Sequence, residues 1–364
     1  HVPEFLRNTA GKPFYKPEGS VLKVRHWDGE LHPVDLPEGV VRFHMTRRTM
    51  TPVSENEGAS LFHLEDGIRL VEFHTKANAL DDTCMSIVHE AANDPGPGII
   101  VHNDAQHFSA GVNLERFLAF IEAEDWDGID NFLKRFQDAV EALRYCNAPV
   151  VGAPSGLAIG GGYEVLAHCD KVVAHSNSVL GLVETTVGVV PGGGGVKETY
   201  LRWFKATGDW AKAARKTFDQ IGYAQTASSP DEAAPMQYFV EGRDTQVMNR
   251  DRLIEGAREA LAAMSSGYKP RERPVFQLAG GEAQQEMVEF LEKGREKGWF
   301  FPHDVTVASA VAEIMTGGVD ADPVETDEKT LFARERQAFI KLAKTKETHE
   351  RIFNLLRNGN SIRN

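Results

Sequence analysis

Residues 147–195 read NAPVVGAPSGLAIGGGYEVLAHCDKVVAHSNSVLGLVETTVGVVPGGGG. Pro149 to Ala153 is short, apolar and followed by turn residues, so it reads as a buried strand. Ser155-Gly156 leads on to Gly160-Gly161-Gly162, and Gly162 to Cys169 reads as a short helix. Lys171 to Ala174 is a further strand. Leu180 to Val183 is a short apolar run ending at Glu184, where a new helix or turn begins. A second glycine run spans Gly192 to Gly195.

Neither glycine run completes G-x-G-x-x-G, because Val165, Lys197 and Glu198 stand at the positions where the last glycine would fall. G-x-x-x-x-G-K-[ST] is missing too, so a phosphate-binding loop has little support. The first run does offer a strand leading through a glycine turn into a helix start. Backbone N–H groups there lack intrahelical partners and sit at the positive end of the helix dipole. Such a place suits a developing oxyanion. Close strand–helix packing would call for the same glycines, and the run alone does not choose between the two.

Glu164 and Glu184 lie twenty positions apart in apolar settings. Each alone reads as a helix-start glutamate favoured by the dipole. Brought together without water, two carboxylates push their pKa values apart and furnish an acid and a base.

Upstream, Ala59 to Phe73 alternates like a β-hairpin turning at Glu65-Asp66-Gly67. Asp81-Asp82 opens a helix that Pro95-Gly96 ends. Gly98 to His102 is a buried strand, and Asn103 to Leu114 is a loop containing FSAGVN. Glu115 to Arg144 is helical with a break near Asp125–Gly128. Residues 1–57 are rich in proline, glycine and charge, with VLKV and VVRFHM as short candidate strands; the segment reads as extended, without a core of its own. From Tyr200 on the pattern is helical through WFKATGDWAKAARKTF, RDRLIEGAREALAAM, AQQEMVEFLEKGREKG, DVTVASAVAEIM and the run from Glu328 to Asn358.

The 364 residues are 41% hydrophobic, enough to bury a sizeable core, and carry a net charge of −13. That sign argues against a nucleic-acid binder. Three scattered cysteines, Cys84, Cys146 and Cys169, fit a reducing compartment, hence a cytoplasmic location, rather than a disulfide framework. The histidines and cysteines lack metal-ligand spacing, so no metal is expected. Ser109 and Ser155 lack the frame of a nucleophile elbow. Arg47 and Arg48 read as solvated charge. Lys76, in the first strand–helix loop, reads equally as a phosphate partner. No run approaches a membrane span.

Three blocks together resemble the crotonase (enoyl-CoA hydratase/isomerase) superfamily: FSAGVN, PVVGAPSGLAIGGGYEVLAHCD and LGLVETTVGVVPGGGG. The resemblance runs from about Ala59 to Gly195. It implies an α/β fold, a crotonase-like spiral of β-β-α units followed by a helical C-terminal region. In these terms residues 1–57 are a linker or tail, 58–200 the spiral core with a helical insertion at 115–145, and 201–364 the helical region. The resemblance also implies that Val112 and Gly161 N–H form an oxyanion hole for a coenzyme A thioester, with Glu164 and Glu184 as the acid–base pair. Lys76, Ala77, Ala110, Gly111, Asn113 and Gly160 then fall in the substrate-binding loops. Carboxylates at both positions favour an enoyl-CoA hydratase; an isomerase, or a non-catalytic acyl-CoA-binding module, is the alternative. Coenzyme A is part of the substrate and no separate cofactor is implied.

The sequence departs from the family pattern in three places. Asn113 stands where Asp is usual, KANAL is one residue short of K-A-x-N-A-L, and Leu118 to Tyr145 is long. The segment FLRNTAGKPFYKPEG looks like the tail of a 3-hydroxyacyl-CoA dehydrogenase domain. The expectation is therefore the hydratase part of a fused dehydrogenase/hydratase, or a homo-oligomer, with no NAD activity of its own.

Overall fold

The structure, a computed structural model, describes residues 2–364. After α1 (Glu4–Asn8) comes an antiparallel meander of β1 (Tyr15–Glu18), β2 (Val21–Arg25) and β3 (Leu31–Pro33). None of its strand residues is buried. VLKV, one of the two short candidate strands, is the central strand. VVRFHM is not a strand: Phe43–Thr46 forms a helical turn, α2. The turn buries Phe43 and Met45, and the Phe43 ring meets Phe62 edge to face at 5.2 Å between centroids. Burial of two large side chains outweighs the extended preference of the valines before them.

Next come β4 (Ser54–Glu55), β5 (Ala59–His63) and β6 (Arg69–Phe73), paired antiparallel. The β5–β6 turn falls at Glu65-Asp66-Gly67, where Asp66 accepts from Ile68 N–H and Gly67 has φ +80°. α3 (Asp82–Asn93) starts on Asp81, whose carboxylate accepts from Thr83 and Cys84 N–H. The chain continues through β7 (Ile99–His102), α4 (Leu114–Glu122), α5 (Trp126–Arg144), β8 (Val150–Ala153), β9 (Leu157–Ile159), α6 (Gly161–His168), β10 (Lys171–His175) and β11 (Val179–Gly181).

These elements form a spiral. Strands β6, β7, β8 and β10 lie parallel in one sheet. After each of them the chain bends and gives a shorter stretch to a second layer: Leu80, then Ser109 and Val112, then β9, then β11. Leu80 bridges Val112, Ser109 bridges Ala158, and β9 pairs with β11, all parallel. Helices return the chain between turns. The fold is thus the expected α/β spiral of β-β-α units. Strand β9 escapes a sequence reading because it is three residues long and lies between glycines.

The rest comprises α7 (Gly195–Thr207), α8 (Trp210–Gly222), β12 (Thr226–Ala227), α9 (Pro230–Ala233), β13 (Thr245–Val247), α10 (Leu253–Ser265), β14 (Phe276–Leu278), α11 (Gly281–Glu296), α12 (Pro302–Thr316), β15 (Val324–Thr326), α13 (Glu328–Ala343) and α14 (Lys346–Asn358). WFKATGDWAKAARKTF is two helices, not one: Gly208, at φ +68°, ends α7, and Asp209 caps α8 by accepting from Lys212 N–H. The run from Glu328 to Asn358 likewise divides, with Thr345 capping α14. The large sheet has the order β13-β10-β8-β7-β6-β5-β4. It therefore draws one strand from before residue 58 and one from beyond residue 200.

Both faces of this sheet are covered. Leu70, Ile100, Val151 and Val173 face α10, which buries Leu253, Ile254, Ala257 and Leu261 against them. Val71, Val101, Val150 and Val172 face the larger core with α3, α5 and α6. The period-two alternation of the strands divides their apolar side chains between the two cores. Each large side chain so buried contributes about 1.5–3 kcal/mol. Among the described residues no helix is long and apolar enough to cross a membrane.

Candidate active site

Gly160 precedes α6 with φ +54° and ψ −130°, a conformation that favours glycine. Its N–H donates to Gly181 O at 2.9 Å, which ties the helix start to β11. The turn leaves Gly161 N–H as the first donor of α6, a position with no intrahelical acceptor. Across from it lies the loop after β7. Gly111 O accepts from Leu80 N–H at 2.8 Å, and Asn113 N–H donates to Leu80 O at 2.9 Å. Val112 N–H, between them, finds no acceptor among the described residues. The two segments touch: a Cβ built on Gly161 would lie 2.9 Å from Val112 Cγ1. The segments that carry these two N–H groups, far apart in sequence, are therefore in contact.

The remaining loop residues gather here too. Ala77, at φ +55°, offers its carbonyl to Ala110 N–H at 3.2 Å. Lys76 and Ala77 are exposed. Asn113 caps α4, its side chain accepting from Arg116 N–H at 3.4 Å. The residue that departs from the family pattern thus serves as a helix cap, a role open to Asn and Asp alike.

Glu164 is in the first turn of α6 and 2% exposed. Its Oε1 accepts from Gly193 and Gly195 N–H, both at 2.8 Å, so the second glycine run closes over the first. Glu184 opens a 3-10 turn after β11 and is 8% exposed. Its Oε2 is buried without a hydrogen-bond partner among the described residues. Its Oε1 faces Gly160. Burial pushes Glu164 up to about 7, against the pull of the Gly195 and Gly193 N–H groups. Burial, then the charge of Glu164, pushes Glu184 up to about 8. The two carboxyls, adjacent and dry, titrate as a pair near neutrality.

Each carboxyl holds its proton more tightly folded than unfolded. The stability they contribute is fully present below about 4.5 and is lost as pH rises through about 7 and 8. Glu184→Gln removes a charge that is buried and repelled. It should raise the thermal midpoint by several degrees at pH 9 and leave it unchanged at pH 5, as calorimetry at the two pH values would show.

Behind Glu164 lies a buried charged cluster that the sequence reading did not find. Lys197 Nζ donates to Glu198 at 2.5 Å and Glu328 at 2.8 Å, and lies 3.0 Å from His168 Nε2. Arg144 donates to the other oxygen of Glu198 at 2.7 Å. His168 Nδ1 lies 2.7 Å from Glu164 O, so Nδ1 donates and Nε2 accepts. Burial and Lys197 keep this imidazole neutral, well below its ordinary pKa. Glu198 is held well below the usual carboxylate range by Arg144 and Lys197, which overcome its burial. Glu335 of α13 is also fully buried here. Its signal was readable: Leu331, Glu335, Phe339 and Leu342 lie on one helical stripe, and an ionisable residue in an apolar stripe is unusual.

Helix α5, within the long segment of Leu118 to Tyr145, supplies a wall. A Cβ on either Gly161 or Gly193 would meet the Phe136 ring. Gln137 Nε2 donates to Gly192 O at 2.7 Å and holds the second glycine run against the helix.

Residues 63–250, just over half of the chain, match the family described as enoyl-CoA hydratase/isomerase. A Bacillus subtilis protein named as a probable 3-hydroxyacyl-CoA dehydrogenase is 30% identical over 100% of this chain and 46% of its own length. A Rickettsia felis protein named as a fatty acid oxidation complex trifunctional enzyme is 28% identical over 82% of this chain and 39% of its own. The chain thus spans less than half the length of these relatives. The crystal structure of an enoyl-CoA hydratase from Bacillus halodurans shares the fold, with a TM-score of 0.57 at 18% identity over 82% of this chain and all of that one. With the family match across the spiral and its site loops, the chain belongs to the enoyl-CoA hydratase/isomerase family.

Proposed function

We propose that this chain is an enoyl-CoA hydratase of fatty-acid β-oxidation, adding water across the double bond of trans-2-enoyl-CoA. The observation that carries this reading is the dry Glu164–Glu184 pair, with one Glu184 oxygen unpartnered, beside two backbone N–H groups without acceptors.

The thioester oxygen accepts from Val112 and Gly161 N–H. Near neutrality the pair carries one proton, so one carboxylate is a base and its neighbour an acid. The base takes a proton from water as the water oxygen bonds to C3. Charge moves to the thioester oxygen, and the acid protonates C2. The pair ends with one proton, as it began. Each oxyanion donor in such a site is worth about 2.7–4 kcal/mol. Lys76, Ala77, Ala110, Gly111, Asn113 and Gly160 are assigned to the coenzyme A and thioester contacts. The chemistry moves no electrons in or out, so it calls for no redox cofactor. The relatives' names support a place in fatty-acid oxidation, beside or fused to a dehydrogenase that would oxidise the 3-hydroxyacyl product. The three buried free cysteines fit a cytoplasmic setting.

Following enoyl-thioester absorbance over a series of acyl chain lengths tests this. Loss of absorbance for at least one length is expected. Double-bond migration in 3-enoyl-CoA without hydration would make the chain an isomerase, and binding without turnover would make it an acyl-CoA-binding module.

A further inference from the structure

Four of the five backbone N–H groups at the start of α7 are divided between two carboxylates. Gly193 and Gly195 donate to Glu164 Oε1, each at 2.8 Å. Gly194 donates to Glu335 Oε2 at 2.7 Å, and Lys197 to Glu335 Oε1 at 2.8 Å. The two glutamates thus grip alternate positions of one glycine turn from opposite sides. Gly194 reaches φ +103° to make this possible. Glu335 comes from α13, 141 positions beyond Gly194, and is 0% exposed.

We propose that Glu335 is a positioning residue for Glu164: it fixes the Gly192–Gly195 turn so that Gly193 and Gly195 N–H face the Glu164 carboxylate. As to catalysis, this rests on the hydratase reading above. A plain capping role would need only one carboxylate at this helix start. Here a second carboxyl is buried within range of the first, and Lys197 and the N–H groups offset the cost of burying it.

Both Glu335 oxygens accept a backbone N–H. Burial, then the charge of Glu164, raises its proton affinity well above the ordinary carboxylate range, against the pull of Lys197 and the Gly194 N–H. The charged groups acting on Glu335 are Glu164 of α6 and Lys197 of α7. On the helices packed against α13, Asp130 of α5 pairs with Arg336, Glu313 of α12 with Lys341, and Arg351 of α14 with Asp304. Glu164 in turn is faced by Glu184, Glu335, Lys197 and the neutral His168.

Two readouts on Glu335→Gln test the proposal. The first is the carboxyl carbon titration of Glu164 by NMR with labelled glutamate, assigned by its loss in Glu164→Gln. With the turn released, Gly193 and Gly195 N–H no longer hold the Glu164 carboxylate, and Glu164 should titrate about one pH unit higher. The second is the rate of enoyl-CoA hydration: kcat should fall at least tenfold with KM within twofold, because the residue touches no substrate. An unmoved or lowered Glu164 titration overturns the proposal, whether or not the chain proves to be a hydratase. A wild type without turnover overturns the hydratase reading and leaves the titration test standing. If Glu335→Gln does not fold, Glu335→Asp serves. It keeps the carboxyl group but is one methylene too short to hold both N–H groups. It should raise the Glu164 titration in the same way, and an unmoved titration would overturn the proposal.

Discussion

Glu164→Gln and Glu184→Gln should each lower kcat for enoyl-CoA hydration by about 10²–10⁴-fold, the range over which a positioned acid or base acts. The reason lies in the proton count. A glutamine at either position cannot take the proton from water or return one to C2. The double variant should be little worse than the slower single one, because the two carboxyls act as one unit. KM should change little, since the proposed function assigns coenzyme A to the loops around Lys76 and Ala110, away from the two glutamates. The two variants differ in stability. Glu164 accepts two backbone N–H groups through one oxygen, so its replacement disturbs the second glycine run. Glu184 has one oxygen without any partner among the described residues, so its replacement spares the fold. Steady-state kinetics on both variants check this, and full activity in either would remove that glutamate from the chemistry.

Lys197→Met should cost about 3–5 kcal/mol of stability, the usual penalty for removing one partner of a buried ion cluster. Lys197 is 0% exposed. Its ammonium neutralises Glu198 and Glu328, both buried, together with Arg144. Without it Arg144, and the half-exposed Arg273 at 3.3 Å from Glu328, are left to face two buried carboxylates. Glu198, now held well below the usual carboxylate range, would then bind a proton more readily. The loss should therefore be smaller in acid than at pH 8. Chemical denaturation at the two pH values measures this, and a change under 1 kcal/mol at pH 8 would mean that the cluster is not dry.

Much of the spiral could be read from the sequence because its signals are local. The β5–β6 hairpin, the Asp81 cap and the strand at Ile99–His102 each depend on a few adjacent residues. The three motif blocks record where a backbone must approach another closely, so Gly160, Gly161, Val112 and the two glutamates could be singled out and lie together in the fold. What the sequence concealed depends on distant parts of the chain. Phe43 turns helically only because Phe62 and the back of the sheet are there to receive it. Strand β13 is three residues inside a polar stretch and forms because β10 offers an edge. Glu335 becomes meaningful only when α13 packs behind a glycine turn formed far upstream. The single helix read across Gly208 failed for a local reason, since that glycine adopts a left-handed terminating turn.

Hydration of a trans-2-enoyl-CoA in ¹⁸O-labelled water, followed by mass spectrometry of the acyl product, tests the paired-glutamate chemistry most directly. One labelled oxygen at C3 is expected with the wild-type chain, and at least 100-fold less in the same time with Glu164→Gln or Glu184→Gln. An unlabelled product with a migrated double bond, or label incorporated equally by the wild type and both variants, would contradict it.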